Sequence, residues 1–117
     1  MYNKRSIGNE YETRAVNYLE KNGYKIIERN FYCRQGEIDI IAKDKEYIVF
    51  VEVKYRTNTN KGTPQDAVNY VKKKRIIRTA KYYMYKNNIS EYQAVRFDVV
   101  SILDNEISII KDAFWIN

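Results

Sequence analysis

Apolar positions along the chain follow two periods. Over residues 8–22, Tyr11, Ala15, Tyr18 and Leu19 form a stripe at helical spacing, and Gly23 follows as a stop signal, predicting an amphipathic helix. Residues 24–28 predict a short strand. A loop through Arg29-Asn30 and Arg34-Gln35-Gly36 leads to a second strand, Glu37 to Lys43. Asp44-Lys45 suits a hairpin turn, and Glu46 to Arg56, rich in Val, Ile, Phe and Tyr, is the strongest strand. Residues 57–63 are loop-like, Thr63-Pro64 can open a helical turn, and Asn69 can cap a helix running to about Lys86. Residues 95–103 form an apolar strand, paired with 106–111 across Asp104-Asn105. The order αβββαββ, with a long helix between the third and fourth strands, permits a parallel crossover. The expectation is one α/β domain over residues 1–117, a mixed sheet flanked by helices.

Alternation along the third strand places Ile48, Phe50, Glu52, Lys54 and Arg56 on one face. Tyr47, Val49, Val51, Val53 and Tyr55 occupy the other, which reads as buried throughout. An even-length turn centred on Asp44-Lys45 pairs positions whose numbers sum to 89. Glu37 then faces Glu52, and Asp39 faces Phe50, so Glu37, Asp39, Glu52 and Lys54 share a face. Asp39 and Glu52 become diagonal neighbours with β-carbons roughly 7 Å apart. An odd-length turn would separate them onto opposite faces. Clustered carboxylates repel unless a cation intervenes, and magnesium, a hard ion, suits oxygen ligands. Such an ion polarises a phosphoryl oxygen and activates water, while Lys54 can orient that water or offset charge on phosphate. The competing reading is a surface ion pair of Glu52 with Lys54 or Arg56, and spacing alone does not separate the two. Glu12, one turn before Ala15, can point near the sheet or into solvent.

Composition narrows the chemistry. The 117 residues include no histidine, which removes Ser-His-Asp triads, Cys-His dyads and histidine-ligated metals. One cysteine, Cys33, permits neither an intramolecular disulfide nor a cysteine-rich zinc site. No signal-peptide pattern opens the chain, and the longest apolar run, Tyr47 to Val51, cannot span a bilayer. A soluble cytoplasmic protein without membrane association is expected. The net charge of +6 is concentrated: residues 61–96 carry nine Lys or Arg against Asp66 and Glu91 alone. Lys72, Lys73, Lys74, Arg75, Arg78 and Lys81 would line much of the second helix, as a polyanion-binding face or as a solvated one. Tyrosines 82, 83 and 85 can stack on unpaired bases, although at least two are expected in the core.

Gly36-Glu37-Ile38-Asp39-Ile40-Ile41-Ala42 followed by Phe50-Val51-Glu52-Val53-Lys54-Tyr55-Arg56 resembles the signature of the YraN family of uncharacterised bacterial proteins. Gly8 with Glu12 and Ala15, Asn22-Gly23-Tyr24, Arg29-Asn30, Arg96 to Val100 and Asp112-Ala113-Phe114 extend the resemblance over nearly the whole chain. That family in turn resembles the PD-(D/E)XK nucleases, notably archaeal Holliday-junction resolvases. The resemblance implies a restriction-endonuclease-like αβββαβ core and phosphodiester cleavage dependent on magnesium or manganese. Asp39, Glu52 and Lys54 match the motif positions, and Glu12 matches an acid on the resolvases' first helix. Ile38, not proline, precedes Asp39, a departure the loose motif tolerates. By the same analogy Asp39, Glu52 and the Val53 carbonyl would hold the metal. Gln65 and Lys72 to Arg75, with Arg78, would contact nucleic acid. Resolvases of this type cut as dimers, which makes a homodimer a candidate state here. The leading reading is an endonuclease for structured or branched DNA. The alternatives are a nucleic-acid-binding module of nuclease fold without catalysis, and a protein-interaction domain using Phe114-Trp115.

Overall fold

The strand richest in β-branched and aromatic residues lies at the centre of the sheet. The structure, a computed structural model, describes residues 4–56 and 69–114, with side chains from residue 10 onward. The elements are α1 (Lys4–Lys21), β1 (Lys25–Cys33), β2 (Gly36–Asp44), β3 (Tyr47–Arg56), α2 (Tyr70–Lys86), β4 (Val95–Leu103) and β5 (Glu106–Phe114). One five-stranded sheet has the order β1-β2-β3-β4-β5. β1, β2 and β3 pair antiparallel, β3 and β4 pair parallel, and β5 returns antiparallel to β4. The parallel step spans the segment that contains α2, as a crossover requires. The fold is a mixed α/β sheet carrying one helix on each face.

Each helix owns one hydrophobic cluster. Ala15 and Leu19 of α1 are fully buried against Ile40, Ala42, Val49, Val51, Val100 and Ile102. On the opposite face, Ile76, Ala80 and Tyr83 of α2 pack on Phe31, Ile41, Phe50, Phe97 and Phe114. Aromatic rings tie that cluster together, with Phe50 on Phe97 at 5.6 Å and Phe97 on Phe114 at 5.0 Å. α1 ends where Gly23 adopts φ +90, so that the Tyr24 N–H returns to the Leu19 carbonyl at 3.0 Å. α2 begins as expected at Asn69, whose side chain accepts the Lys72 N–H at 2.9 Å.

Several expected boundaries move. The β2–β3 turn is Lys45-Glu46, not Asp44-Lys45. Asp44 stays in the strand because it pairs with Tyr47 and accepts from Arg96 at 2.8 Å, while Lys45 takes the left-handed bend at φ 57. β1 runs on to Cys33, since Phe31, Tyr32 and Cys33 continue the ladder opposite Ile38, Glu37 and Gly36. As the outermost strand, β1 can leave Arg29 and Asn30 at least partly in water. β5 continues to Phe114, which is drawn under α2 by Phe97. The face of β3 expected to be buried throughout is not: Val53 is half-buried, and Tyr55 is exposed while its ring stacks on Tyr11 at 3.7 Å. Of Tyr82, Tyr83 and Tyr85, only Tyr83 packs inside, because it continues the stripe of Ile76 and Ala80. Tyr82 and Tyr85 project outward. Phe114 is core, whereas Trp115, Gln65 and the Thr63-Pro64 turn lie outside the described residues.

A buried ionic cluster pins the start of β4. Arg96 donates to both oxygens of Asp98 at 2.9 Å, to Asp44 at 2.8 Å and to the Tyr24 hydroxyl at 2.9 Å. Tyr24 donates to Asp98 at 2.8 Å, and the Asp112 N–H donates to the other Asp98 oxygen at 2.9 Å. Asp98 is fully buried, so removing it leaves the guanidinium with Asp44 as its carboxylate partner and the Tyr24 hydroxyl as a neutral one. Asp98→Ala should therefore lose about 3 kcal/mol in urea unfolding. Asp44→Ala, which leaves Arg96 its Asp98 partner, should lose clearly less. Equal losses would show that the network does not work in this order.

Candidate active site

The site forms where β2 and β3 part. Their ladder runs from Asp44 opposite Tyr47 to Ile40 opposite Val51. One further step would set Asp39 directly against Glu52, rather than diagonally as the expected register had it. Instead, the Asp39 carboxylate accepts the Val53 N–H at 2.8 Å. Strict alternation breaks at the same place. Ile38 joins Ile41 in the cluster under α2, while Ile40 and Ala42 face α1. β3 stays straight because its other edge is held by β4 through Glu52–Val99, Val53–Val100 and Lys54–Ser101. Both registers pair residues across an even-length turn. Asp39 and Glu52 both line the same opening despite the shift.

Charged groups converge on this opening. Glu52 is buried, and one of its oxygens receives Lys72 Nζ at 2.6 Å and Lys54 Nζ at 3.7 Å. Lys72, expected to face a polyanion, instead turns inward from the first turn of α2. Glu12 is also buried, sharing the α1 stripe of Ala15 and Leu19. Its Oε1 accepts no hydrogen bond, and Arg29 Nε lies 3.8 Å away. Burial, with repulsion from Glu52 next, pushes the Asp39 carboxyl up to about 8, although the Val53 N–H opposes the shift. Burial likewise raises Glu12 against the pull of Arg29. Burial lowers Lys54, and the neighbouring Lys72 ammonium lowers it further. Lys72 is also penalised by burial, yet its contact with Glu52 holds it above the usual lysine range.

A cavity of about 460 Å³ opens at this point, lined by Gly36, Glu37, Asp39, Glu52, Lys72 and Arg75 among others. Gly36 lets the start of β2 approach α2 closely. A Cβ there would sit 3.1 Å from Thr79 Oγ1, on a backbone with φ +152. Of the remaining basic positions, Lys74, Arg75 and Arg78 are exposed, whereas Lys73 is half-buried with its ammonium 5.8 Å from the Phe114 ring centre. Sequence reasoning did not anticipate Asn69 in the cavity wall or Arg29 beside Glu12. Asn69 carried only a capping signal, and the Arg29–Glu12 contact depends on how α1 lies over β1.

The donor set fits a hard divalent ion. Two carboxylates meet at a cavity, and burial, with repulsion from Glu52, keeps Asp39 from ionising in the usual carboxylate range. Among the described residues no group of three or more carboxylate or thiol ligands converges. Magnesium accepts such a site because it retains water and is commonly bound through one or two carboxylates plus phosphate. Asp39, Glu52 and, by the motif's analogy, the Val53 carbonyl are the groups that would hold it.

The order of elements and the position of this opening agree with a restriction-endonuclease-like core. The profile of the uncharacterised protein family UPF0102 matches residues 11–102, and the chain belongs to that family. A UPF0102 protein of Lachnoclostridium phytofermentans is 53% identical over 112 residues, covering 96% of this chain and 95% of its own. A UPF0102 protein of Persephonella marina is 49% identical, covering 92% and 91%. One of Clostridium botulinum strain 657 is 45% identical, covering 98% of both chains. Among the described residues no helix is long and apolar enough to cross a membrane.

The raised Asp39 group has a consequence for stability. In the folded protein it holds its proton up to about pH 8, while in the unfolded chain it ionises near 4. Stability is thus lost as pH rises through that window. Asp39→Asn keeps an acceptor for Val53 and removes the loss. Relative to wild type, the variant should gain roughly 2–4 kcal/mol between pH 5 and pH 9. Urea midpoints across that range would check it, and a pH-independent difference would contradict it.

Proposed function

We propose that this chain is a metal-dependent endonuclease that cleaves phosphodiester bonds in structured or branched DNA. The observation that carries the reading is the pairing of Asp39 with Glu52 at an open cavity beneath a helix rich in cations. A structural role would satisfy two such carboxylates. Here burial and mutual repulsion hold Asp39 largely protonated near neutral pH. A bound magnesium or manganese ion would supply Lewis-acid polarisation of the phosphate and a more acidic water. Asp39 and Glu52 set the position of that charge, and the Asp39–Val53 bond fixes the carboxylate's orientation. Lys54, with its lowered proton affinity, is suited to orient the attacking water or to stabilise the charge on the phosphate. Arg75 at the cavity wall is placed to hold a phosphate oxygen. In the reaction the water oxygen bonds to phosphorus, the P–O bond to the leaving strand breaks, and a proton passes to that oxygen.

One observation favours the alternative, a nucleic-acid-binding module without catalysis. The Lys72 ammonium, 2.6 Å from Glu52, already supplies a positive charge to a carboxylate assigned to the metal. The nuclease reading requires Lys72 to yield that position. Lys72→Met should then bind manganese several-fold more tightly than wild type in calorimetry. The alternative expects no manganese binding by either protein.

Cleavage decides between the readings. On labelled linear, flap and four-way DNAs with magnesium or manganese, Asp39→Asn and Glu52→Gln should each lower turnover at least about 100-fold. DNA affinity should be unchanged in Asp39→Asn and unchanged or stronger in Glu52→Gln, which removes negative charge near phosphate. Lys54→Ala should also lose turnover while still binding metal. Absence of metal binding and cleavage in the wild type would remove the nuclease reading. Independently, Lys74→Gln with Arg75→Gln should flatten the salt dependence of duplex binding by about 0.9 per lost phosphate contact. An unchanged slope would show that this face does not meet the backbone.

A further inference from the structure

α2 connects the carboxylate cavity to a second one. Gly36 lines the first and Gln35, the preceding residue, lines the second, so the two adjoin at the β1–β2 turn. On the helix side Arg75 borders the first cavity, while Arg78, Lys81, Tyr82 and Tyr85 border the second. Arg75, Arg78, Tyr82 and Tyr85 recur every three or four residues and therefore form one stripe along the helix, roughly 15 Å long. The second cavity holds about 340 Å³. Tyr85 is 80% exposed and Tyr82 39%, in a helix whose sheet-facing stripe is already complete without them. α2 carries no acidic residue to neutralise its cations internally.

Tyr85 lies mostly in solvent and Tyr82 only partly against Phe31, and cations at helical spacing beside these rings select a polyanion that also has flat apolar groups. Duplex DNA offers the phosphates but keeps its bases stacked, whereas an unpaired strand offers both. We propose that this stripe is a path for an unpaired DNA strand leaving the carboxylate cavity, with Arg78 and Lys81 on its phosphates and Tyr82 and Tyr85 stacked against its bases. The proposal deepens the nucleic-acid reading by naming the preferred substrate: DNA with a single-stranded arm adjoining the cut site.

The test is fluorescence anisotropy with the full chain and no divalent metal, so cleavage does not enter. The probes are a labelled single-stranded oligodeoxynucleotide and a blunt duplex of equal length. Tyr85→Ala should weaken single-strand binding by about tenfold, the scale of one lost base stack, and leave duplex binding within twofold. Tyr85→Phe should keep wild-type affinity for both. Arg78→Gln with Lys81→Gln should reduce the salt slope for the single strand by about 0.7 per phosphate. Tyr82 touches Phe31, with ring centres 6.3 Å apart, so Tyr82→Ala is read only where its melting temperature matches wild type. Tyr85, mostly in solvent, does not carry that risk. Parallel losses on single strand and duplex, or no loss from Tyr85→Ala, would overturn the path. A protein that shows the stacking signature but never cleaves would keep the path and lose the nuclease. A protein that cleaves without the signature would do the reverse.

Discussion

The hydrogen bond from the Val53 N–H to the Asp39 carboxylate, at 2.8 Å, stands where a ladder bond between β2 and β3 would otherwise be. A side-chain acceptor replaces a backbone one, so β2 can turn away without leaving a buried donor unpaired. The divergence opens the cavity and admits Lys72 from α2. The bond also fixes Asp39 next to Glu52 in a partly desolvated position. The carboxylate thus has two opposed environments. The N–H favours its ionised form, while burial and Glu52 favour the neutral one, and burial with repulsion prevails.

α2 supplies the compensating charge in an unfavourable arrangement. Lys72, Lys73, Lys74 and Arg75 cluster at the N-terminal end, where the helix dipole is positive, and the first turn holds no acid. Each cation there costs about 0.3–1 kcal/mol unless an anion is near. Lys72 has found one in Glu52, and Lys73 is partly accommodated over the Phe114 ring. Lys74 and Arg75 remain exposed. Within the protein, carboxylates lack cations at one side of the cavity while cations crowd the other. Among the described residues direct contact joins Glu52 to Lys72 and Lys54, and under the proposed function a phosphate together with a hard cation would complement both sides at once.

Strand β3 and helix α2 were legible in the sequence because each carries a strong periodicity and a local terminating signal, Asn69 for the helix. The approach of Asp39 to Glu52 was legible through parity. The turn moved by one residue, which shifts the register by two and preserves the parity of the paired positions as far as Ile40 and Val51. The burial of Glu12 was half legible, since it shares the spacing of Ala15 and Leu19, but an acid on that stripe reads equally well as its polar edge. Lys72 could not be told apart within a run of four cations; its partner is fixed by how α2 lies over β3. The Arg96 cluster was not legible at all. Tyr24, Asp44, Asp98 and Asp112 come from four parts of the chain, and only the completed sheet gathers them.

The two ionic clusters of this fold differ in a way that separates structural charge from chemical charge. Around Arg96, the Asp98 carboxylate oxygens accept from the guanidinium, a hydroxyl and a backbone N–H. Asp44 is held below the usual carboxylate range by its bond to Arg96. In that cluster both oxygens of Asp98 are hydrogen-bonded within the protein. Around Asp39 the sign is reversed: Asp39 and Glu12 are held above the usual carboxylate range, and Glu12 Oε1 has no hydrogen-bond partner. Burial acts on both clusters, so burial alone does not explain the difference. What differs is local cation geometry. One guanidinium donates to both oxygens of Asp98, whereas at the site two lysines share one oxygen of Glu52 and the guanidinium nearest Glu12 stands off at 3.8 Å. Under the proposed function, a compact ion at the cavity would lower the Asp39 proton affinity. The Arg96 cluster anchors β4, and through β4 the edge of β3 on which Glu52 and Lys54 are carried.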